Sequence, residues 1–465
     1  MSYFPTWKLK TSGIIAPDER LPIGQTLALG VQHVVAMFGS TVLAPLLMGF
    51  DPNLCILMSG LGTLIFFLLV GGHVPSYLGS SFAFISPLAG ACAYGFLGIF
   101  AFIGVVISAT GYVAGSGMNP NIPTALGGIV ICGLIYAIVG LIVMSTGVRW
   151  IERLMPPVVT GAVVAVIGLN LAPTAVKSVG PTDFDAWIAI LTVLCVGGVA
   201  VYTRGLIQKL LILVGLSLAY VIYAILTNGM GLGTPINFAK ISEAAWFGMP
   251  QFETPVFSLS AITLIAPVVI ILVGENLGHI KAVTAMTGRN LDPYMGRAFL
   301  GDGLATMFSA SCGGTGVTTY GENIGVMAAT RVYSTLLFPV AACFAIILGF
   351  SPKFGAVIQT IPQPILGGTS IVVFGLIAVA GARVWVVNHV NFGDNRNLIV
   401  AAVTLILGGG DFTIHLGNFT LGGIGTATFG AIILNALMEF GERRVSGTIE
   451  EEPHEANLDA QADKQ

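Results

Sequence analysis

Charge is scarce in this chain. Asp, Glu, Lys and Arg make up 9% of its 465 residues against 55% hydrophobic ones, and the mean hydropathy is +0.90. A water-soluble domain must cover its surface with polar groups, so this balance excludes one and marks a polytopic membrane protein. No basic patch is large enough to hold a nucleic acid, and the net charge of −3 names no charged partner. The six cysteines (Cys55, Cys92, Cys132, Cys195, Cys312 and Cys343) form no CxxC pair and no His/Cys ligand set. They read as small packing residues, and neither a metal centre nor a disulfide framework is expected. No HExxH set, Ser/His/Asp arrangement or phosphate-cradling glycine loop stands at a credible spacing, so an enzyme is not expected either. The first twenty residues lack the continuous apolar core of a cleavable leader.

What the chain has is a series of apolar runs. Roughly twelve are long enough to cross a bilayer as helices of about 20 residues, and two more are short and interrupted. The expected plan is an all-α polytopic protein of fourteen segments. Residues 1–22 precede it, residues 23–230 and 256–441 form two halves of seven segments each, and an acidic tail, 442–465, follows. With both termini placed in the cytoplasm, sixteen of the nineteen Lys and Arg residues fall inside and only Lys177, Lys240 and Lys353 outside, as the positive-inside rule expects. The halves echo each other. Gln32 and Glu275 are 243 positions apart, as are Gly60 and Gly303, and Thr63 and Thr306; Pro156 with Pro362 and Gly161 with Gly367 are 206 apart. Seven segments per half would invert the second copy relative to the first, a plan that puts a transporter's site at the midplane. The shorter second offset implies about 37 extra residues in the first half. That length contains FAFI twice, at 82–85 and 100–103, and either copy fits a functional strand.

Among the carboxylates, Glu275, Asp302 and Glu322 are set among small and apolar residues. An ionised carboxylate at the centre of a membrane helix costs at least about 2.5–3.5 kcal/mol, so each is expected to face a cavity, a partner or a proton path. Glu275 and His279 are four apart in GENLGHI and would share a helix face. His33, beside Gln32, occupies the matching place in the first half, where packing competes with a ligand role. The stretches YLGSSFAFISP and SASCGGTGVTTYG are too glycine-rich and β-branched to continue as helices. Irregular backbone at membrane depth survives only when buried in protein or lining a cavity, so the two stretches point to a shared site with free amides. Two acceptor carboxylates and donor amides suit a small planar molecule carrying both N–H groups and carbonyls, as uracil does. Phe82, Phe84 and Tyr320 are candidates to wall in its ring.

The run ENIGVMAATR, 322–331, resembles the signature of the nucleobase–ascorbate transporter (nucleobase:cation symporter) family: Gln or Glu, then Asn-x-Gly-x-x-x-x-Thr, then Arg, Lys or Gly. With QH (32–33), YLGSSFAFISP (77–87) and GENLGH (274–279), the chain is similar to the bacterial uracil permeases of that family, nearest the pyrimidine permeases of uracil-degradation gene clusters. The resemblance runs from about residue 8 to 440. It implies a proton-coupled symporter in the bacterial inner membrane that imports uracil or a related pyrimidine by alternating access. It needs no cofactor beyond the proton gradient. A core domain of segments 1–4 and 8–11 would move against a gate domain of segments 5–7 and 12–14, through which two copies would form a homodimer, and segments 3 and 10 would contain short paired strands.

By the same resemblance, Glu275 and Glu322 would take the ring N–H groups. The backbone amides of Phe82 and Gly321 would bind carbonyl oxygens, and His279 would support Glu275 in proton coupling. Gln32, His33, Asp302 and Asn323 are secondary candidates. The chain departs from the uracil permeases at Phe374, where they carry Tyr, and at Asp302, which matches purine carriers. A xanthine carrier therefore stays open, as does an anion exchanger or channel of the same plan, although the latter predicts a cation where this chain has Glu322.

Overall fold

The computed structural model describes residues 3–85, 87–88, 118–416 and 419–450. The second FAFI copy, Cys92 and the end of the acidic tail lie outside the described residues.

Residues 3–20 form a hook against one end of the bundle. Within it, β1 (Lys8–Leu9) pairs in parallel with β2 (Glu19–Arg20), and Lys10 Nζ lies 2.9 Å from Glu19 Oε2. The Glu19 carboxylate accepts the Ala16 N–H, which, with Lys10 adding to it, holds its pKa below the ordinary range. The hook reaches distant parts of the chain. Trp7 donates to Thr335 Oγ1 at 2.8 Å, Ile15 N–H donates to Arg331 O at 3.0 Å, and Tyr3 OH donates to Leu68 O at 2.6 Å.

Helices follow wherever apolar runs meet a stop signal. Helix α1 (Ile23–Met48) ends at Gly49, whose φ of 80° is the left-handed conformation glycine adopts without strain. Helix α2 (Pro52–Leu69) begins where Asp51 accepts the Asn53 N–H at 2.9 Å, and Pro52 fills a first position whose N–H would have no intrahelical acceptor. Then come β3 (Leu78–Ser80), a 3-10 turn (Phe82–Phe84), α3 (Ile122–Thr146), α4 (Pro157–Asn170), α5 (Asp183–Tyr202) and α6 (Leu211–Ala224). The second half supplies α7 (Val268–Thr287), α8 (Met295–Ser311), β4 (Val317–Thr319), α9 (Gly321–Thr330) and α10 (Leu337–Gly349). It closes with α11 (Pro352–Gln359), α12 (Gln363–Val387), α13 (Asn395–Gly409) and α14 (Gly423–Glu450). The last helix runs past the boundary expected at 441. Among the described residues nine helices are long and apolar enough to cross a membrane, or ten if α10 and α11, bent by 79°, count as one span.

Two groups pack within the bundle. In one, α2 lies against α10 and α3 against α8, with α1 and α7 alongside; in the other, α4, α5 and α6 pack with α12, α13 and α14. Small residues set the closest approach, since in lipid helices associate by tight packing rather than by escape from water. Gly133 and Gly140 of α3 face Gly303 and Gly296 of α8, and a Cβ at Gly140 would sit 2.4 Å from Leu300 N.

The two strands cross at the middle of the first group. They are antiparallel, pairing Leu78 with Thr319, Gly79 with Thr318 and Ser80 with Val317, and all six residues are buried. Each strand hangs from a threonine on the preceding helix. Thr63 Oγ1 accepts the Leu78 N–H at 2.9 Å, while Thr306 Oγ1 donates to Val317 O at 2.9 Å and accepts its N–H at 3.2 Å. These bonds answer the need that isolated strands have at membrane depth, where water cannot satisfy the backbone.

Candidate functional site

Helix α7 packs against β4, the 3-10 turn and α9, and brings the predicted residues to the strand crossing. Glu275 and His279 stand one helical turn apart on α7, as their spacing requires. His279 Nδ1 lies 2.9 Å from Thr319 Oγ1 on β4, and a Cβ at Gly321 would sit 3.3 Å from His279 Nε2. Glu322 occupies the first turn of α9, where the helix dipole favours a carboxylate. Glu275 and Glu322 are within electrostatic reach of each other. Among the described residues Glu275 Oε2 is buried and accepts no hydrogen bond. Phe82 begins the 3-10 turn and Gly321 begins α9, positions whose N–H groups have no acceptor within their own helix. Phe82 meets the ring of Phe374 edge-on, centroids 5.9 Å apart.

Helix α1 holds the signature segment from the side. Asn323 Nδ2 donates to His33 Nδ1 at 3.0 Å and to His33 O at 3.2 Å. Thr41 donates to the Tyr320 hydroxyl at 3.1 Å, which itself donates to Ser80 O at 2.9 Å, and Ser40 Oγ donates to Glu322 Oε1. Tyr320 is thus a brace between α1 and β3, with its ring across Gly79. Gln32, one residue from His33 and half-buried, points along a different direction of α1.

Asp302 reaches this group from the α8 side, within electrostatic reach of Glu275 and against the Thr319 backbone of β4. Its Oδ2 accepts from Asn276 Nδ2 at 2.6 Å, and Asn276 also donates to the Tyr136 hydroxyl at 3.0 Å. Asn276, the residue after Glu275, turns toward α3 and α8, so the Asp302 cluster braces α7 beside Glu275. Sequence reasoning missed Ser40, Thr41, Tyr136 and Asn276. The first two were visible as adjacent hydroxyls in the apolar run FGSTVLAP, and Asn276 as the second letter of the ENLGH stretch; Tyr136 carried no signal. Among the described residues no group of three or more metal-ligating side chains is present.

The sequence model of the Permease family (Xan_ur_permease) matches residues 24–417. RutG of Escherichia coli (strain K12), named as a pyrimidine permease, is 65% identical over 439 residues, which is 94% of this chain and 95% of that protein. The uracil permease of Bacillus caldolyticus is 38% identical over 436 residues, covering 90% of this chain and 94% of its own. Among solved structures, the murine anion transporter Slc26a9 in its inward-facing state aligns with a TM-score of 0.64 at 12% identity, over 90% of this chain and 69% of that one. The transmembrane domain of the cyanobacterial bicarbonate transporter BicA aligns at 0.58 and 12% identity, over 88% and 96%. At that identity the likeness is one of fold, a helical polytopic membrane fold.

Proposed function

This chain belongs to the nucleobase permease family whose sequence model it matches, an integral membrane family, and from that premise we propose that it imports uracil or a closely related pyrimidine together with protons. The observation that carries the reading is the convergence of two carboxylates, Glu275 and Glu322, on two backbone segments whose first N–H groups, those of Phe82 and Gly321, have no acceptor within their own helices. Carboxylates accept and amides donate, so a ring with both N–H groups and carbonyls is the complementary guest. The names of the relatives, pyrimidine permease and uracil permease, point the same way.

Proton coupling follows from the same residues. A carboxylate with a buried, unused oxygen within reach of a second carboxylate can carry a proton with the substrate and release it on the other side, with His279 as the relay to β4. Alternating access would have the group of α1–α3 and α7–α10 move as a core against the group of α4–α6 and α12–α14 as a gate, with two gates forming a homodimer. Two strands hung from Thr63 and Thr306, 243 positions apart, support the reading of fourteen segments in two inverted repeats. The inner membrane, with both termini cytoplasmic, is the proposed setting.

The test is uptake of labelled uracil into proteoliposomes with and without an inward proton gradient, with excess xanthine as competitor. Gradient-stimulated uptake that xanthine leaves untouched is the expected result. Uptake blocked by xanthine, or indifferent to the gradient, would overturn it.

A further inference from the structure

We propose that Ser40 is a positioning residue for the substrate site, holding the Glu322 carboxylate so that its second oxygen faces the ring N–H; this rests on the nucleobase reading above. Ser40 is 1% exposed, and its hydroxyl donates to Glu322 Oε1 across the gap between α1 and α9. A serine in a membrane helix often bonds back to a carbonyl of its own helix. Here the hydroxyl is spent on a carboxylate 282 positions away in sequence.

The surroundings keep that hydroxyl in place. His33 and Thr41, on the same helix, bind Asn323 and Tyr320, so α1 is fastened to the signature segment on both sides of Glu322. Gly39, next to Ser40, allows α6 so close that a Cβ there would lie 2.9 Å from Ile212 Cγ2. Helix α1 is therefore held between the site and the other packing group, and Ser40 has little room to withdraw. A carboxylate offers about four lone-pair positions on two oxygens. One bond to Oε1 fixes the plane of the group before substrate arrives and leaves Oε2 for recognition, which removes part of the ordering cost of binding.

The experiment compares wild type, Ser40→Ala, Ser40→Thr, Ser40→Cys, Glu322→Gln and the Ser40→Ala/Glu322→Gln double variant. Binding of labelled uracil is measured in detergent, up to millimolar concentration, and uptake in proteoliposomes. A hydrogen bond to a charged group corresponds to roughly a tenfold or greater change in affinity. Ser40→Ala is expected to raise Kd and KM about tenfold with the maximal uptake rate within about twofold, and Ser40→Thr to recover most of the loss. Once Glu322 is Gln, adding Ser40→Ala should cost less than about twofold, because the bond to charge is already gone. A Ser40→Ala protein that binds like wild type, or one whose full loss repeats on Glu322→Gln, would overturn the inference. If Ser40→Ala fails to fold, Ser40→Cys decides, since it keeps the size and weakens the donor: binding equal to wild type sinks the idea, and a loss supports it. Wild type that binds no uracil would overturn the functional reading itself, a result seen before any Ser40 variant is measured.

Discussion

The two strand segments are built alike up to one residue, and that residue separates their tasks. Each strand hangs from a threonine of the preceding helix, and each segment has a glycine roofed by an aromatic ring of the other, Gly79 within β3 and Gly316 just before β4. A Cβ at Gly79 would lie 2.6 Å from the Tyr320 ring, and one at Gly316 would lie 2.2 Å from the Phe84 ring. After β3 the chain continues into a short 3-10 turn that opens on Phe82, an apolar wall. After β4 it continues into α9, whose first turn carries Glu322. One segment supplies shape and the other supplies charge. Only one of the two segments carries the costly carboxylate beside the strands, while the other presents an aromatic ring there.

The sharpest way to break this division is Glu322→Gln, which keeps shape and replaces an acceptor oxygen by a donor NH₂. Uracil binding should fall by about 100-fold or more, whereas Phe82→Ala, on the shape side, should raise KM by only about tenfold; equilibrium binding separates the two. Next in size is Gly316→Ala. Its added methyl has no room beneath Phe84, and the variant should lose stability by about 1–3 kcal/mol in a detergent melting assay; Gly79→Ala should behave alike if the segments are structurally equivalent. Similar in size are Thr63→Val and Thr306→Val, which each leave strand backbone unpaired at a cost of about 1–3 kcal/mol. The Thr306 variant should also disturb uracil binding, because its strand leads directly into Glu322. Smallest is Tyr320→Phe, which removes the hydroxyl shared by Thr41 and Ser80 and should lower the melting midpoint by the equivalent of about 1 kcal/mol, with affinity changed only a few-fold.

Much of this arrangement was legible in the chain itself. Glu275, His279 and Glu322 stood out because carboxylates in apolar surroundings demand a reason, and the interrupted stretches stood out because their glycine and β-branched content cannot make a spanning helix. The family resemblance was carried by residues in the same stretches, and the paired strands were what that resemblance implied. Partners that join distant segments were not legible. Nothing in FGSTVLAP says that Ser40 reaches Glu322, since which face of α1 meets α9 is decided by packing that no local pattern records. Asp302 was singled out for the right physical reason, a buried acid, yet its hydrogen-bond partners, Asn276 on α7 and Tyr136 on α3, could not be read from the chain. Depth along a helix can be read from hydropathy, but the direction a side chain points depends on neighbours.

The hook formed by residues 3–20 sets an order of events in time. Trp7 leaves the ribosome 328 residues ahead of Thr335, the acceptor of its indole N–H, which at about 5–20 residues per second is a wait of roughly a quarter-minute to a minute. Through that interval the hook can lean only on the end of α2, where Tyr3 meets Leu68, and its bond to Thr335 forms only when nearly three-quarters of the chain has been made. The bond between Trp7 and Thr335 is therefore a closing stitch of the assembly, and a bulky fusion placed ahead of Tyr3 should reduce the yield of finished molecules more than the affinity of those that finish.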